Sequence, residues 1–226
     1  MHQRKGKKIL IYFFLLFLVG SIQNIELNNL RFNEIKNINV SGLGNYDDLI
    51  LLQEIENLNL INIFLIDKSE ISKKINLNNL VEKYEIFKRY PSSLDIKIQK
   101  TKFLAKINVN GKIFLVGSNG KLSENNFHNN QLPFIFGNPK IQEFLDFKKN
   151  IELSKFSYDE IENLYFFTSK RWDLELKNNV IIKLSRNYPK DSLELAFEFL
   201  QNNDLEDIKI IDARIKNQII LNDRRN

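Results

Sequence analysis

The sequence has no cysteine and only two histidines, His2 and His128. The first absence excludes disulfides, thiolate nucleophiles, iron–sulfur clusters and cysteine-bound zinc. The second removes multi-histidine metal sites and histidine dyads, and leaves no serine with a base beside it. His128 itself lies among Asn125, Asn126, Asn129 and Asn130, which reads as a solvated loop. Only carboxylates are plentiful enough to furnish catalytic groups, and nothing in the pattern selects a glycosidase-like pair among them. No cofactor is implied. Acids are missing from the first 25 positions, and alanine from the first 104.

Charge is present but localised. Thirty-three bases against 28 acids give a net charge of +5. Arg4, Lys5, Lys7 and Lys8 hold four of those charges within the first eight residues. The rest of the chain is close to neutral, which offers no general grip on phosphates and no expectation of nucleic-acid binding.

Behind the basic tail runs Ile9-Leu10-Ile11-Tyr12-Phe13-Phe14-Leu15-Leu16-Phe17-Leu18-Val19, continued without charge to Ile25. As a helix, residues 9–25 span about 25 Å, a short membrane crossing that snorkelling Lys7 and Lys8 would complete. A signal-peptide core is the alternative, although no Ala-x-Ala cleavage site is available and Val19-Gly20-Ser21 is a weak substitute. A buried core helix fits poorly because the run has no polar face. The cations before the span place the N-terminus in the cytoplasm under either membrane reading.

Two blocks follow a linker at 26–34. In the first, 35–101, Ile38-Asn39-Val40 is a short strand that turns at Ser41-Gly42-Leu43. Leu49, Leu52 and Ile55 recur at helical spacing, and Asp67-Lys68-Ser69 opens a second helix carrying Ile71 and Ile75. Val81 to Phe87 is a strand, Arg89-Tyr90-Pro91-Ser92-Ser93 a turn, and Leu94-Asp95-Ile96-Lys97-Ile98-Gln99 a half-buried strand of period two. Gly42-Leu43-Gly44 lacks the third glycine of a nucleotide loop, with Asp47 in its place. Asn39-Val40-Ser41 is a formal glycosylation sequon, close to meaningless in so Asn-rich a chain.

The second block, 102–221, is mostly strand, and 222–226 is a tail. Trp172, Leu174 and Leu176 alternate with polar residues, and Asn178-Asn179 turns the chain into Val180–Leu184, a hairpin with one wet face. Trp172 leads the apolar side and is read as core. Helices follow Pro139 and Pro189. Ser157-x-x-Glu160 fits a capping box, but the aromatic run Leu164–Phe167 so close to the Trp172 strand favours a strand there. A last strand is expected over Ile208–Ile215, followed by Ile219-Ile220-Leu221.

Several ordered segments resemble the bacterial cell-division family FtsQ, called DivIB in Gram-positive bacteria. They are Ile38-Asn39-Val40-Ser41-Gly42, Asn62-x-Phe64-x-Ile66-Asp67, and Phe87-Lys88-Arg89-Tyr90-Pro91-Ser92-Ser93-Leu94-x-Ile96-x-Ile98. Further along stand Leu132-Pro133 with Gly137, Arg171-Trp172-Asp173-Leu174-x-Leu176, and Ile211-Asp212-x-Arg214. Lys100, Phe103, Ala213 and Ile215 depart from the family's usual Glu, Pro, Leu and Tyr. The resemblance implies an α+β fold: a single N-terminal transmembrane helix, a βααββ POTRA domain, then a mostly antiparallel β domain with two helices. It further implies a non-enzymatic, single-pass scaffold of the inner membrane with a periplasmic body. Such a scaffold is enriched at the septum and recruits FtsB- and FtsL-type partners for peptidoglycan synthesis. An unpaired sheet edge around Ile211, Asp212, Arg214, Ile215, Lys216 and Asn217 is the expected partner-binding element. Asp212 and Arg214 read equally well as a surface ion pair, and Arg89 with Tyr90 as a turn. Two other readings remain: a POTRA-type polypeptide-binding factor of the envelope, which expects repeated modules or a barrel, and a secreted carboxylate-dependent wall hydrolase.

Overall fold

The computed structural model describes residues 3–22, 34–58, 60–124, 131–202 and 208–223. His128 therefore lies outside the described residues. The chain divides into two compact units, residues 1–75 with 84–98, and residues 76–83 with 99–226.

Helix α1 runs from Gln3 to Ile22. Its uncharged part, Ile9–Ile22, is about 21 Å long. Residues 23–25, which complete the expected span, lie outside the described residues. Among the described residues no helix is long and apolar enough to cross a membrane.

The first unit then follows the order read from the sequence. Strand β1 (Asn37–Ser41) leads to α2 (Asn45–Glu56) and α3 (Lys68–Leu77), then to β2 (Val81–Arg89) and β3 (Ser93–Lys100). The sheet order is β1-β3-β2, with β1 parallel to β3 and Val40 opposite Ile96. Leu51 and Ile55 of α2, Ile71 and Ile75 of α3, and Leu94 and Ile96 of β3 are fully buried. Asp67 caps α3 by accepting from the Ser69 N–H (2.8 Å) and hydroxyl (2.6 Å), which holds its carboxyl below the ordinary range.

The loop between β1 and α2 is closed by Asp48, whose carboxylate accepts from the amides of Leu43 (2.9 Å), Gly44 (3.2 Å) and Gly42 (3.3 Å). Its donors are thus committed to a side chain, in keeping with the reading that this is no phosphate loop. Gly42 is required there: φ is +121°, and a Cβ would sit 1.8 Å from the Ile98 carbonyl oxygen.

The second unit is built on a nine-stranded sheet. Its strands are β4 (Phe103–Val109), β5 (Lys112–Gly117), β6 (Leu122–Glu124), β7 (Phe134–Phe136), β8 (Ile161–Phe166), β9 (Trp172–Leu176), β10 (Ile181–Leu184), β11 (Ile208–Ala213) and β12 (Ile220–Asp223). The order is β12-β11-β10-β9-β8-β7-β4-β5-β6. Five neighbouring pairs are antiparallel and three parallel, so the sheet is mixed with an antiparallel majority. Two of the parallel pairs arise because a helix carries the chain over the sheet: α4 (Ile141–Glu152) between β7 and β8, and α5 (Pro189–Asn202) between β10 and β11. At the Ser157 position the chain makes a single 3₁₀ turn, Tyr158–Glu160, with no side-chain cap, and then enters β8.

Trp172 is core, as read. Its ring stacks on Phe147 (4.8 Å, 1°) and meets Phe144 and Phe166. Leu174, Ile182, Leu184 and Ile211 of the sheet, with Leu193 and Ala196 of α5, extend the same cluster. The Ser192 hydroxyl accepts from the Ser185 amide (3.2 Å) and donates to the Ala213 carbonyl (2.8 Å), linking α5 to the ends of β10 and β11. In the same unit, Asn119 donates to the carbonyls of Asn79 and Val81 (2.9 Å each), and Glu82 accepts from Ser118 (2.7 Å) and Thr101 (3.0 Å).

Truncating Phe147 to alanine removes the stacking partner of the only tryptophan and is expected to cost about 3–5 kcal/mol. Urea unfolding followed by Trp172 fluorescence measures it. Gly42→Ala is expected to destabilise the first unit by about 1–3 kcal/mol, read as a lowered melting temperature.

Candidate functional site

The end of the nine-stranded sheet holds the expected partner-binding residues, and their placement differs from the expectation. Strand β11 stops at Ala213, not Ile215, and has neighbours on both sides: it is parallel to β10 and antiparallel to β12. Ile211 is buried in the core opposite Leu221. Ile215, Lys216 and Asn217 form a turn, closed by the Gln218 amide donating to the Ile215 carbonyl (3.2 Å), with Asn217 at φ 59°. Asn is among the few residues that tolerate this left-handed conformation. With Tyr188 and Leu195 the turn lines a pocket of about 20 Å³, room for a water rather than a ligand. The outermost strand is β12, and Ile220 and Leu221 are exposed on it.

Alternation along the strands separates two faces. Trp172, Leu174, Ile182 and Ile211 face the helices, so Asp173, Glu175, Lys183 and Asp212 face away. Register sets these polar residues side by side: Asp173 lies opposite Lys183, and Lys183 opposite Asp212. Arg171 donates to Asp173 from Nε (3.0 Å) and Nη2 (3.1 Å). Arg214 embraces Asp212 in the same way, with Nε 2.8 Å from Oδ1 and 3.0 Å from Oδ2, while its amide caps Oδ1 at 3.1 Å. The Arg214 hydrogen bonds hold the Asp212 carboxyl below its ordinary range, assisted by Lys183, and raise the guanidinium in turn. Opposite charges thus alternate across the last strands next to β12. Asp212 and Arg214 are an ion pair, and β12 lies between Asp212 and the free edge.

Further along this face, Tyr165 stacks on Phe136 (5.1 Å, 11°) and donates to Glu175 (2.7 Å). Removal from water, then the Glu175 bond, pushes the phenol up to about 12. This aromatic pair was not anticipated. Its signal was faint, because β7 is three residues long. Among the described residues no group of histidine, aspartate or glutamate is arranged to hold a metal.

Of the basic tail, Lys8 is exposed and Arg4, Lys5 and Lys7 fall within the backbone range of α1. Arg89 pairs with Asp95, and Tyr90 occupies the β2–β3 turn, stacked on Phe64 (4.9 Å).

The Asp212 shift gives a pH dependence with a definite sign. A depressed carboxyl adds stability that is present above its unfolded value, near 3.9, and is lost as pH falls through the folded one. Arg214→Gln is expected to move the Asp212 titration upward, observable by carboxyl NMR. Tyr165 acts at the other extreme: its stabilisation falls as pH rises from about 10 towards about 12. Glu175→Gln should bring phenolate absorbance to lower pH.

Comparison with known proteins bears on residues 33–214. An FtsQ-type POTRA domain matches residues 33–100. The C-terminal domain of cell division protein FtsQ/DivIB matches residues 98–214, just over half of the chain. Cell division protein FtsQ of Rickettsia typhi is 26% identical over 195 residues, covering 81% of this chain and 70% of that protein. Its counterpart in Rickettsia prowazekii is 25% identical over 193 residues, with the same coverage. A solved extracytoplasmic domain of DivIB from Geobacillus stearothermophilus aligns over 46% of this chain and 98% of its own, at 10% identity. Its TM-score of 0.33 is too low to add to the description of the fold. With both of its units matched in order, the chain belongs to the FtsQ/DivIB family of cell-division proteins.

Proposed function

We propose that this protein is a non-catalytic, single-pass scaffold of the inner membrane that captures an extended segment of an FtsB-type partner, and FtsL through it. The captured complex links the protein to septal peptidoglycan synthesis. On this reading the boundaries are a cytoplasmic tail at 1–8, a membrane helix at 9–25, a linker at 26–34, a POTRA domain at 35–101 and a β domain at 102–221. The body lies in the periplasm. Support for the topology comes from the four cations before the apolar run and the absence of acid until Glu26.

The observation that carries the proposal is the edge strand β12. Among the described residues it has one neighbour, β11, and it displays Ile220 and Leu221 to solvent. A strand with one side of its main chain unpaired is a template for another chain. Main-chain hydrogen bonds would hold the partner, and the charges around Asp212 and Arg214 would set its register. The binding element is therefore assigned to β12, with the Ile215–Asn217 turn leading into it.

Proline placed at Leu221, and separately at Asn222, tests this. Neighbouring residues of an edge strand send their N–H groups in opposite directions, so one substitution removes a donor that faces the missing partner and the other a donor to β11. One variant should lose an FtsB-type partner in a pull-down while its melting temperature holds. Retention of the partner by both would sink the mechanism. Proline at Ile215 or Lys216 removes no ladder donor and should have a smaller effect. A fluorescent fusion to the N-terminus is expected at midcell in dividing cells, and a uniform distribution would contradict the scaffold reading.

A further inference from the structure

The first unit carries an apolar turn that the partner-binding reading does not use. Ile61, Phe64 and Leu65 are exposed at 74%, 56% and 80%, and Tyr90, stacked on Phe64, at 60%. Ile63 between them is fully buried and roots the segment in the core. The turn is well defined: Leu65 donates to the Asn62 carbonyl (3.1 Å), and the Asn62 side chain accepts from the Phe64 amide (2.9 Å). Three large apolar side chains on one turn, joined by Tyr90 of the β2–β3 turn stacked on Phe64, are not an incidental exposure.

Two further observations say what covers them. The turn sits where the chain arrives from α1: Glu34 bridges to Asn62, and the Ile35 amide donates to the Ile61 carbonyl (3.3 Å). Only residues 23–33 separate Ile22 from Glu34, and a fully extended chain of that length reaches at most about 40 Å. Lysines also ring the base of the turn. Lys88 donates to the carbonyls of Phe64 (3.4 Å) and Ile66 (3.3 Å), and Lys68 to that of Ile86 (3.0 Å). A tyrosine and apolar tips with ammonium groups behind them match the layering of a membrane–water interface.

We infer that the Ile61–Leu65 turn, with Tyr90, inserts into the headgroup boundary of the phospholipid bilayer as a second membrane contact. This rests on the reading of α1 as a membrane anchor, which keeps the turn within reach of the surface. Glu34 and Asp67 offset Lys68 and Lys88, so apolar contact rather than attraction to anionic lipid drives the insertion.

Because the chain has no cysteine, single-cysteine labelling tests this in the chain with its α1 segment in place. Leu65→Cys and the exposed α2 control Gln53→Cys are labelled with an environment-sensitive dye. Each is reconstituted in phosphatidylethanolamine–phosphatidylglycerol vesicles containing a lipid spin-labelled near the headgroup. Flotation first establishes that the chain is held by the vesicles. Several-fold stronger quenching at position 65 than at 53 is expected, unchanged when phosphatidylglycerol is replaced by phosphatidylcholine, and reduced by Phe64→Asp in the same chain. Equal quenching at 65 and 53 in vesicles that float overturns the second contact and leaves the anchor standing. Failure to float overturns both. A label at 65 shielded from aqueous iodide but untouched by the lipid quencher would assign the turn to a protein neighbour, and would also overturn the proposal.

Discussion

A β-sheet that does not close must leave one side of its outermost strands without hydrogen-bond partners, and the second unit is organised by where that happens. Nine strands place β6 at one limit and β12 at the other. The described part of β6 is Leu122–Glu124. The other limit is a late hairpin whose outer member bears two exposed aliphatic residues. The crossover of α5 is what makes this so: it lays β11 parallel to β10, and the chain must then turn back and add one more strand. Had β11 been the last strand, the proposed binding edge would include Ile211 and Ala213, whose side chains already belong to the core.

The same helix gives the unit its two unlike faces. Beneath α4 and α5 the sheet is apolar and aromatic, centred on Trp172. On the reverse, alternating acids and bases run across β9, β10 and β11: Asp173 is held by Arg171 from just before its strand and Asp212 by Arg214 from just beyond its own, while Glu175 is held by Tyr165. The Arg214–Asp212 pair, exposed on its arginine side, contributes little to stability, but it lies beside β12, where a segment added at the proposed edge would meet its charge.

Much of this was legible in the sequence. The βααββ order, the Trp172 hairpin and both helices of the second unit followed from period and punctuation, because these elements are long and their apolar faces are buried. The end of the sheet was not legible, for a physical reason: Ile211, Ala213 and Ile215 continue a two-residue period straight through the point where the strand stops. The turn that ends it depends on Asn217, and asparagine is too common in this chain to serve as punctuation. Ile219–Leu221 was visible as an apolar run, but pairing is a long-range property, and no local pattern revealed that this run covers β11. The exposed turn at Ile61–Leu65 was hidden differently. Its apolar residues look like core until the structure shows that only Ile63 points inward.

Ser192 has a reach out of proportion to its size. Its hydroxyl receives the amide just after β10 and grips the last carbonyl of β11, so it fixes how far one strand slides along the other. In a sheet with unlike faces, a shift of one residue exchanges inside for outside along the whole strand. The phase of β12 is inherited from β11. A single buried oxygen on a helix thus bears on which side chains the terminal strand turns outward, some thirty residues before that strand begins.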